Sequence, residues 1–216
     1  MADLIFYTNP MSRGQTVRWM LEEVGQPYED VILDYASTMK AEPYLSINPM
    51  GKVPAIKHRD KVVTEVAAIC CYLADAFPEA RLAPPPADRA DYYRWIFFTS
   101  GPVEAAFSNK AAGWEPTPER QRMFGYGNYD LAINTLETAL SGREYIAADH
   151  FTAADLFVGA NVNFMLAFKL LEPREVFVNY ARRMTDRDAY RRAKEIDSRL
   201  IAEAQAAQAA QPQPAE

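Results

Sequence analysis

Residues 48–66 read NPMGKVPAIKHRDKVVTEV, a turn, a hairpin and a helix start in one stretch. Asn48-Pro49-Met50-Gly51 has the composition of a turn, with proline presetting φ and glycine supplying a permissive position. Val53-Pro54 stands at the mouth of the apolar run Ala55-Ile56. A short strand, a tight turn at Asp60-Lys61 and a second strand, Val62-Val63-Thr64, predict a hairpin. Glu65 then opens an apolar helix. Proline cannot donate to a sheet ladder. A cis Val53-Pro54 bond would turn the N–H and C=O of Val53 outward as a small strand edge for a peptide-like ligand. Only about 5–6% of X-Pro bonds in folded proteins are cis, so chemistry alone favours an ordinary trans turn.

Upstream, Leu4-Ile5-Phe6-Tyr7 reads as a buried strand. After Thr8-Asn9-Pro10-Met11-Ser12-Arg13-Gly14 comes a helical pattern from Gln15 to Val24, ended by Gly25 and Pro27. The predicted order over residues 3–77 is strand 3–7, helix 13–24, strand 28–33, helix 38–46, strands 54–58 and 61–64, and helix 65–77. Such a β-α-β-α-β-β-α chain forms one mixed sheet covered by helices, with a right-handed first crossover.

Gly51-Lys52-Val53-Pro54-Ala55-Ile56 followed by Thr64-Glu65, together with Met11-Ser12-Arg13-Gly14 and Arg18-Trp19-Met20-Leu21-Glu22-Glu23, resembles the cytosolic glutathione transferases, bacterial theta- or beta-like members in particular. The resemblance runs over the chain apart from its last dozen residues. It implies an α/β thioredoxin-like domain over 1–78, a proline-rich linker over 79–87 and an all-helical domain over 88–205, with 206–216 as a disordered tail. From residue 88 onward strand signals vanish, and helices are expected over 88–111, 117–140, 153–170 and 186–205, the first kinked at Pro102 after Gly101. Thr152 and Asp155 form a predicted capping box, with Phe151 as its hydrophobic staple.

Composition sets limits on function. The 216 residues are 49% hydrophobic, enough for a sizeable core, and carry a net charge of −6 without a basic block, which argues against nucleic-acid binding. No 18-residue apolar run exists, so no membrane span is expected. The start MADLIFYTNP lacks a basic n-region and a cleavage site, so a cytoplasmic location is expected. Adjacent Cys70 and Cys71 are poorly placed for a disulfide with each other, and His58 and His150 suggest no metal site.

The resemblance implies glutathione as co-substrate, a hydrophobic electrophilic small molecule as second substrate, and a homodimer. Helix N-termini attract anions, and glutathione offers its γ-glutamyl carboxylate and its thiolate. By resemblance, Glu65 meets the γ-glutamyl ammonium, although a first-turn acidic residue is also ordinary helix chemistry. Position 66 departs from the family pattern: many members carry serine there, and Val66 has no hydroxyl for the ligand carboxylate. By resemblance Val53 and Pro54 fall on the segment that pairs with the cysteinyl unit, with the Val53-Pro54 bond cis. Lys40 and Lys52 are candidates for the glycine carboxylate, and Arg13 adds positive potential near the sulfur. Ser12 is the candidate hydroxyl donor to the thiolate, with Tyr7 the alternative and Thr8, Asn9 or a backbone N–H behind them. Ser12-x-x-Gln15 also reads as a capping box, and Tyr7 as a packed strand aromatic. Met11, Phe98 and Phe107 are candidates for the electrophile pocket, which the resemblance places between the two domains. The same fold also admits a glutathione-dependent lyase, isomerase or peroxidase, or a non-catalytic binding or regulatory protein.

Overall fold

The structure is a computed structural model that describes residues 3–209. Four strands, β1 (Leu4–Thr8), β2 (Glu29–Ile32), β3 (Ala55–His58) and β4 (Lys61–Thr64), form one sheet in the order β2-β1-β3-β4. β1 runs parallel to β2 and antiparallel to β3, which pairs antiparallel with β4. The parallel pair is joined by α1 (Gly14–Val24), and the sheet is followed by α2 (Val66–Ala76). This is the expected thioredoxin-like arrangement followed by a helical region.

Alternation along β1 sorts the two faces of the sheet. Phe6, opposite Ile56, lies beneath the Arg18 guanidinium of α1 at 5.2 Å. On the other face Tyr7, opposite Ala55, packs with Leu33, Met39 and Tyr44. The helix expected over 38–46 is instead two single 3-10 turns, Thr38–Lys40 and Tyr44–Ser46. Pro43 explains the break, since it lacks an N–H and disfavours helical geometry at the residue before it.

Downstream come α3 (Ala90–Phe98), a π-helical turn (Thr99–Val103) holding Pro102, and α4 (Glu104–Ala111). The turn absorbs the proline at the kink read from the sequence. α5 is shorter than expected, Tyr129–Leu140. Gly127 takes φ +67°, and the Asn128 side chain caps the helix by accepting from the Leu131 N–H at 2.8 Å. α6 (Ala153–Ala167) opens on the predicted box: Asp155 accepts from the Thr152 N–H, and Thr152 Oγ1 accepts from the Ala154 N–H. Asp155 also accepts from the Ile146 N–H at 2.7 Å and the Tyr180 hydroxyl at 2.9 Å.

α8 (Asp188–Ala209) fills the stretch expected to be helical over 186–205, and α7 (Glu175–Thr185) is a further helix before it that the sequence reading did not assign. The apolar positions Phe177, Tyr180, Ala181 and Met184 carry the helical spacing that would have revealed α7, and all four are buried. The chain forms two compact units. One holds the described residues up to Leu73 together with those from Arg187; the other is Ala74–Asp186. α8 therefore belongs with the sheet, packed on α1. Of the expected disordered tail, residues 206–209 complete α8, and the rest lies outside the described residues. Within the second unit the proline-rich stretch is anchored, because the Leu82 carbonyl accepts from the Ala153 N–H at 2.7 Å. Among the described residues no helix is long and apolar enough to cross a membrane.

Candidate functional site

Register assembles the site from four chain segments. Thr8 pairs with Ile32, Tyr7 with Ala55, and Ala55 with Thr64. The chain leaving β1, the chain leaving β2, the chain entering β3 and the chain leaving β4 therefore meet at one end of the sheet. Ser12 and Arg13, Lys40, Lys52 to Pro54, and Glu65 to Val66 all lie on these segments.

The approach to β3 is braced from several sides. The Val53-Pro54 bond is cis. The Lys52 carbonyl accepts from the Tyr44 hydroxyl at 2.5 Å and from Asn48 Nδ2 at 2.8 Å. The Asn48 carboxamide oxygen also accepts from the Met50 N–H at 3.1 Å. Lys40 Nζ donates to the Gly51 carbonyl. Gly51 takes φ +55°, and a Cβ there would stand 2.9 Å from the Met39 carbonyl oxygen. With its neighbours held, Val53 keeps its peptide N–H and C=O without a backbone partner among the described residues. Tyr44 and Asn48 thus position the edge, and sequence reasoning missed both. An Asn-Pro turn with a buried aromatic four residues before it was their only signal.

At the exit of β4, Glu65 adopts φ +67°, left-handed geometry that a glutamate takes at a cost of about 1–3 kcal/mol. Its carbonyl accepts the Ile69 N–H at 2.9 Å and so starts α2. The Glu65 side chain is exposed, and its carboxylate takes no hydrogen bond or ion pair among the described residues. Beside it the first N–H groups of α2 point out of the helix. Val66 adds no hydroxyl there. Lys52 is exposed, and its ammonium likewise has no partner among the described residues.

At the exit of β1 the hydroxyl chemistry differs from the capping box read from sequence. Ser12 Oγ donates to the Asn9 carbonyl at 2.7 Å and accepts from the Gly14 N–H at 2.9 Å. Gln15 turns its amide to the Pro10 carbonyl at 2.6 Å and accepts from Lys194 at 3.0 Å. The box is not formed because Arg13, already helical at φ −62°, is the residue that precedes α1, so the serine bonds one N–H earlier. Gly14 makes this possible: a Cβ there would lie 2.1 Å from Thr8 Oγ1 and 2.9 Å from Ser12 Oγ. Asn9 is engaged throughout, donating to the Leu33 carbonyl and accepting from the Met11 N–H.

Tyr7 sits in the packed cluster, its ring 5.5 Å from that of Tyr44. Burial, and then the nearby Glu29 charge, push its phenol above the ordinary tyrosine range. Tyr7 is thus a protonated packing aromatic.

The electrophile candidates have unlike settings. Met11 is 64% exposed at the α1 end of the first unit. In the second unit Phe98 is half-buried edge-on to Trp95, whereas Phe107 is 5% exposed and packed by Phe164. Phe107 is therefore core of the helical unit. Among the described residues no group of three or more His, Cys, Asp or Glu side chains could hold a metal ion.

The family model described as glutathione S-transferase, N-terminal domain, matches residues 2–75. Glutathione S-transferase GST-4.5 of Xanthomonas campestris pv. campestris is 30% identical over 161 residues, covering 70% of this chain and 78% of that protein. Glutathione S-transferase 2 of Schizosaccharomyces pombe is 30% identical over 156 residues, covering 66% and 67%. A solved structure, the glutathione transferase URE2P6 from Phanerochaete chrysosporium in complex with oxidized glutathione, shares the fold at a TM-score of 0.75 and 24% identity, covering 92% of this chain and 98% of that one. With the sheet order, the cis Val53-Pro54 edge and the Glu65-Val66 helix start already in place, these likenesses make the chain a member of the cytosolic glutathione S-transferase family.

Proposed function

We propose that this protein binds glutathione at that end of the sheet and joins it through its sulfur to an electrophilic, hydrophobic small molecule. The observation that carries the reading is Glu65: an unpaired carboxylate held in left-handed geometry at a helix start, on the same sheet end as the open peptide of Val53. Glu65 pairs with the γ-glutamyl ammonium, and the α2 N-terminus receives the γ-glutamyl carboxylate. Val53 bonds the cysteinyl unit in strand fashion, with Pro54 setting the edge. Lys52, and Lys40 from its seat on Gly51, attract the glycine carboxylate.

The sulfur then lies at the start of α1, beside Ser12 and Arg13. Free thiols are mostly protonated at neutral pH, and a helix N-terminus with a nearby hydroxyl favours the thiolate. In the reaction the thiol proton passes to solvent and the thiolate electron pair forms a new S–C bond. The carbon–leaving-group bond breaks, and the leaving group departs with its electron pair. Met11, exposed at the start of α1, is the apolar group of the first unit proposed for the second substrate, and Phe98 is the candidate that the helical unit offers by itself. A cytoplasmic two-fold homodimer completes the reading, on the family resemblance.

Calorimetric titration with glutathione, followed by a conjugation assay with a halodinitrobenzene, tests it. Saturable binding with turnover supports the transferase. Binding without turnover supports the non-catalytic alternative, which Val66 favours by weakening the carboxylate site. Absence of binding overturns both.

A further inference from the structure

Gln15 is drawn away from a capping role by a residue near the far end of the chain. Its carboxamide has one donating end and one accepting end. Nε2 donates to the Pro10 carbonyl at 2.6 Å, and Oε1 accepts from Lys194 Nζ at 3.0 Å. An ammonium only donates and a carbonyl only accepts, so the two neighbours fix which way the amide points. Lys194 lies 179 residues from Gln15, on α8, in the same compact unit.

The bond at Pro10 reaches into the loop that leaves β1. Pro10 is buried, and a buried carbonyl needs a donor. The Pro10-Met11 peptide is held on its other side as well, because the Met11 N–H donates to the Asn9 carboxamide oxygen at 3.0 Å. Directly after this peptide come Ser12, whose N–H and hydroxyl both donate to the Asn9 carbonyl, and Arg13. The plane of the Pro10-Met11 peptide therefore governs where Met11, Ser12 and Arg13 stand at the α1 start.

Charge sets Lys194 apart from its neighbours. Arg187, just ahead of α8, meets Glu23 of α1 at 2.6 Å, and Arg192 meets Glu22 at 3.0 Å. One turn beyond Lys194, Asp197 is bonded to Arg18, which also holds Asp30 of β2. The facing carboxylates of α1 and β2 thus have their cations, whereas Lys194 meets the neutral Gln15. The ion pairs end at the helix surfaces, but the Lys194 contact continues through Gln15 into the loop.

We propose that Lys194 is a positioning residue for the glutathione sulfur: through Gln15 it holds the Pro10-Met11 peptide, and so keeps the loop of Met11, Ser12 and Arg13 in the arrangement that receives a thiolate. This rests on the glutathione-binding reading above. Without Lys194 the Gln15 amide can turn over, which sets its oxygen against the Pro10 carbonyl oxygen. The loop then keeps one of its two clamps, and the α1 start samples more positions. Donors and dipoles stabilise an anion most when they are already in place.

The experiment follows the ultraviolet absorbance of bound glutathione thiolate against pH in wild type, Lys194→Met, Gln15→Leu and the double variant, with glutathione affinity measured by calorimetry in each. Lys194→Met keeps most of the side chain's length without its donor. Gln15→Leu removes both amide bonds and leaves the Lys194 charge in place. Loss of one such bond is expected to lower the thiol ionisation constant about threefold to tenfold, so each single variant moves the titration midpoint up by about half to one pH unit. The double variant is expected to move it no further than the larger single shift, because both residues act in one chain of bonds. Lys194→Arg, which keeps a cationic donor, is expected to restore the wild-type midpoint. Glutathione affinity is expected to stay within about threefold throughout, because the Glu65, Val53 and Lys52 contacts remain. A Lys194→Met variant that binds glutathione and titrates like wild type overturns the positioning role and leaves the binding reading standing. A shift in Lys194→Met with none in Gln15→Leu also overturns it, since the charge would then act without the amide. Additive shifts in the double variant do the same. A wild type that binds no glutathione overturns the binding reading and this role together.

Discussion

Arg18 on α1 donates its Nε to Asp197 on α8 at 2.8 Å, across 179 residues of sequence. The same guanidinium donates Nη1 to Asp30 at 2.8 Å, just ahead of the Tyr28 hydroxyl at 3.1 Å. Arg18 is fully buried. Burial works against its charge, but the bonds to Asp30 and Asp197 outweigh this and hold its pKa above the ordinary arginine value. The Arg18–Asp197 bond is the buried one of several that fasten the last helix to α1, beside Lys194 to Gln15 and Arg192 to Glu22.

Removing Asp197 leaves the buried Arg18 Nε without its acceptor and Asp30 as the remaining counter-charge. Asp197→Ala is expected to destabilise the first unit by about 3–5 kcal/mol, seen as a lower urea midpoint. Glu203→Ala is the control on the same helix. It removes an exposed pair with Arg199, 3.8 Å apart, and is expected to leave the midpoint in place. Equal shifts in the two variants would refute the anchoring role.

Glu65 is expected to separate stability from binding. Glu65→Gln keeps the backbone but loses the ion pair with the ligand ammonium, so glutathione affinity should fall about tenfold or more. Glu65→Gly relieves the left-handed strain of about 1–3 kcal/mol, offset by about 0.5–1 kcal/mol of glycine entropy. Its thermal midpoint should hold or rise while its affinity falls. A drop in both would show that Glu65 is structural.

Val66→Ser restores a hydroxyl beside the α2 N-terminus. A bond to the ligand carboxylate is worth about 1.5–3 kcal/mol, so calorimetry should show tighter glutathione binding by about tenfold. Unchanged affinity would place the carboxylate elsewhere.

Gly14→Ala drives a methyl against Thr8 Oγ1 and Ser12 Oγ. Overpacking of this kind costs about 1–3 kcal/mol, and here it also displaces Ser12 from Asn9. Loss of stability should be accompanied by a raised pKa of the bound thiol. A variant that loses stability yet titrates its thiol like wild type would uncouple the α1 start from the sulfur site.

Assembly is tested by light scattering. A two-fold homodimer is expected to give twice the chain mass at micromolar concentration, and a monomer mass would remove it.

Features that depend on near neighbours were legible in the chain. Apolar runs and turn residues predict the β-α-β-β frame, Thr152 and Asp155 cap α6 across three residues, and Pro102 marks the kink between α3 and α4. Each signal acts within one helical turn or one hairpin, so it survives without knowledge of the fold. The remaining features come from contacts between distant segments. Asp197 and Arg18 are both ordinary charged residues in sequence, and only folding makes α8 part of the sheet-bearing unit. Ser12 was legible as a hydroxyl at a helix start, but that its proton goes to the Asn9 carbonyl and its lone pair to the Gly14 N–H depends on how the chain leaving β1 folds. Glu65 was legible as a carboxylate at a helix start, but its left-handed backbone is imposed by the exit from β4. A hydrogen bond is chosen by distance and direction, and a side chain's identity carries neither.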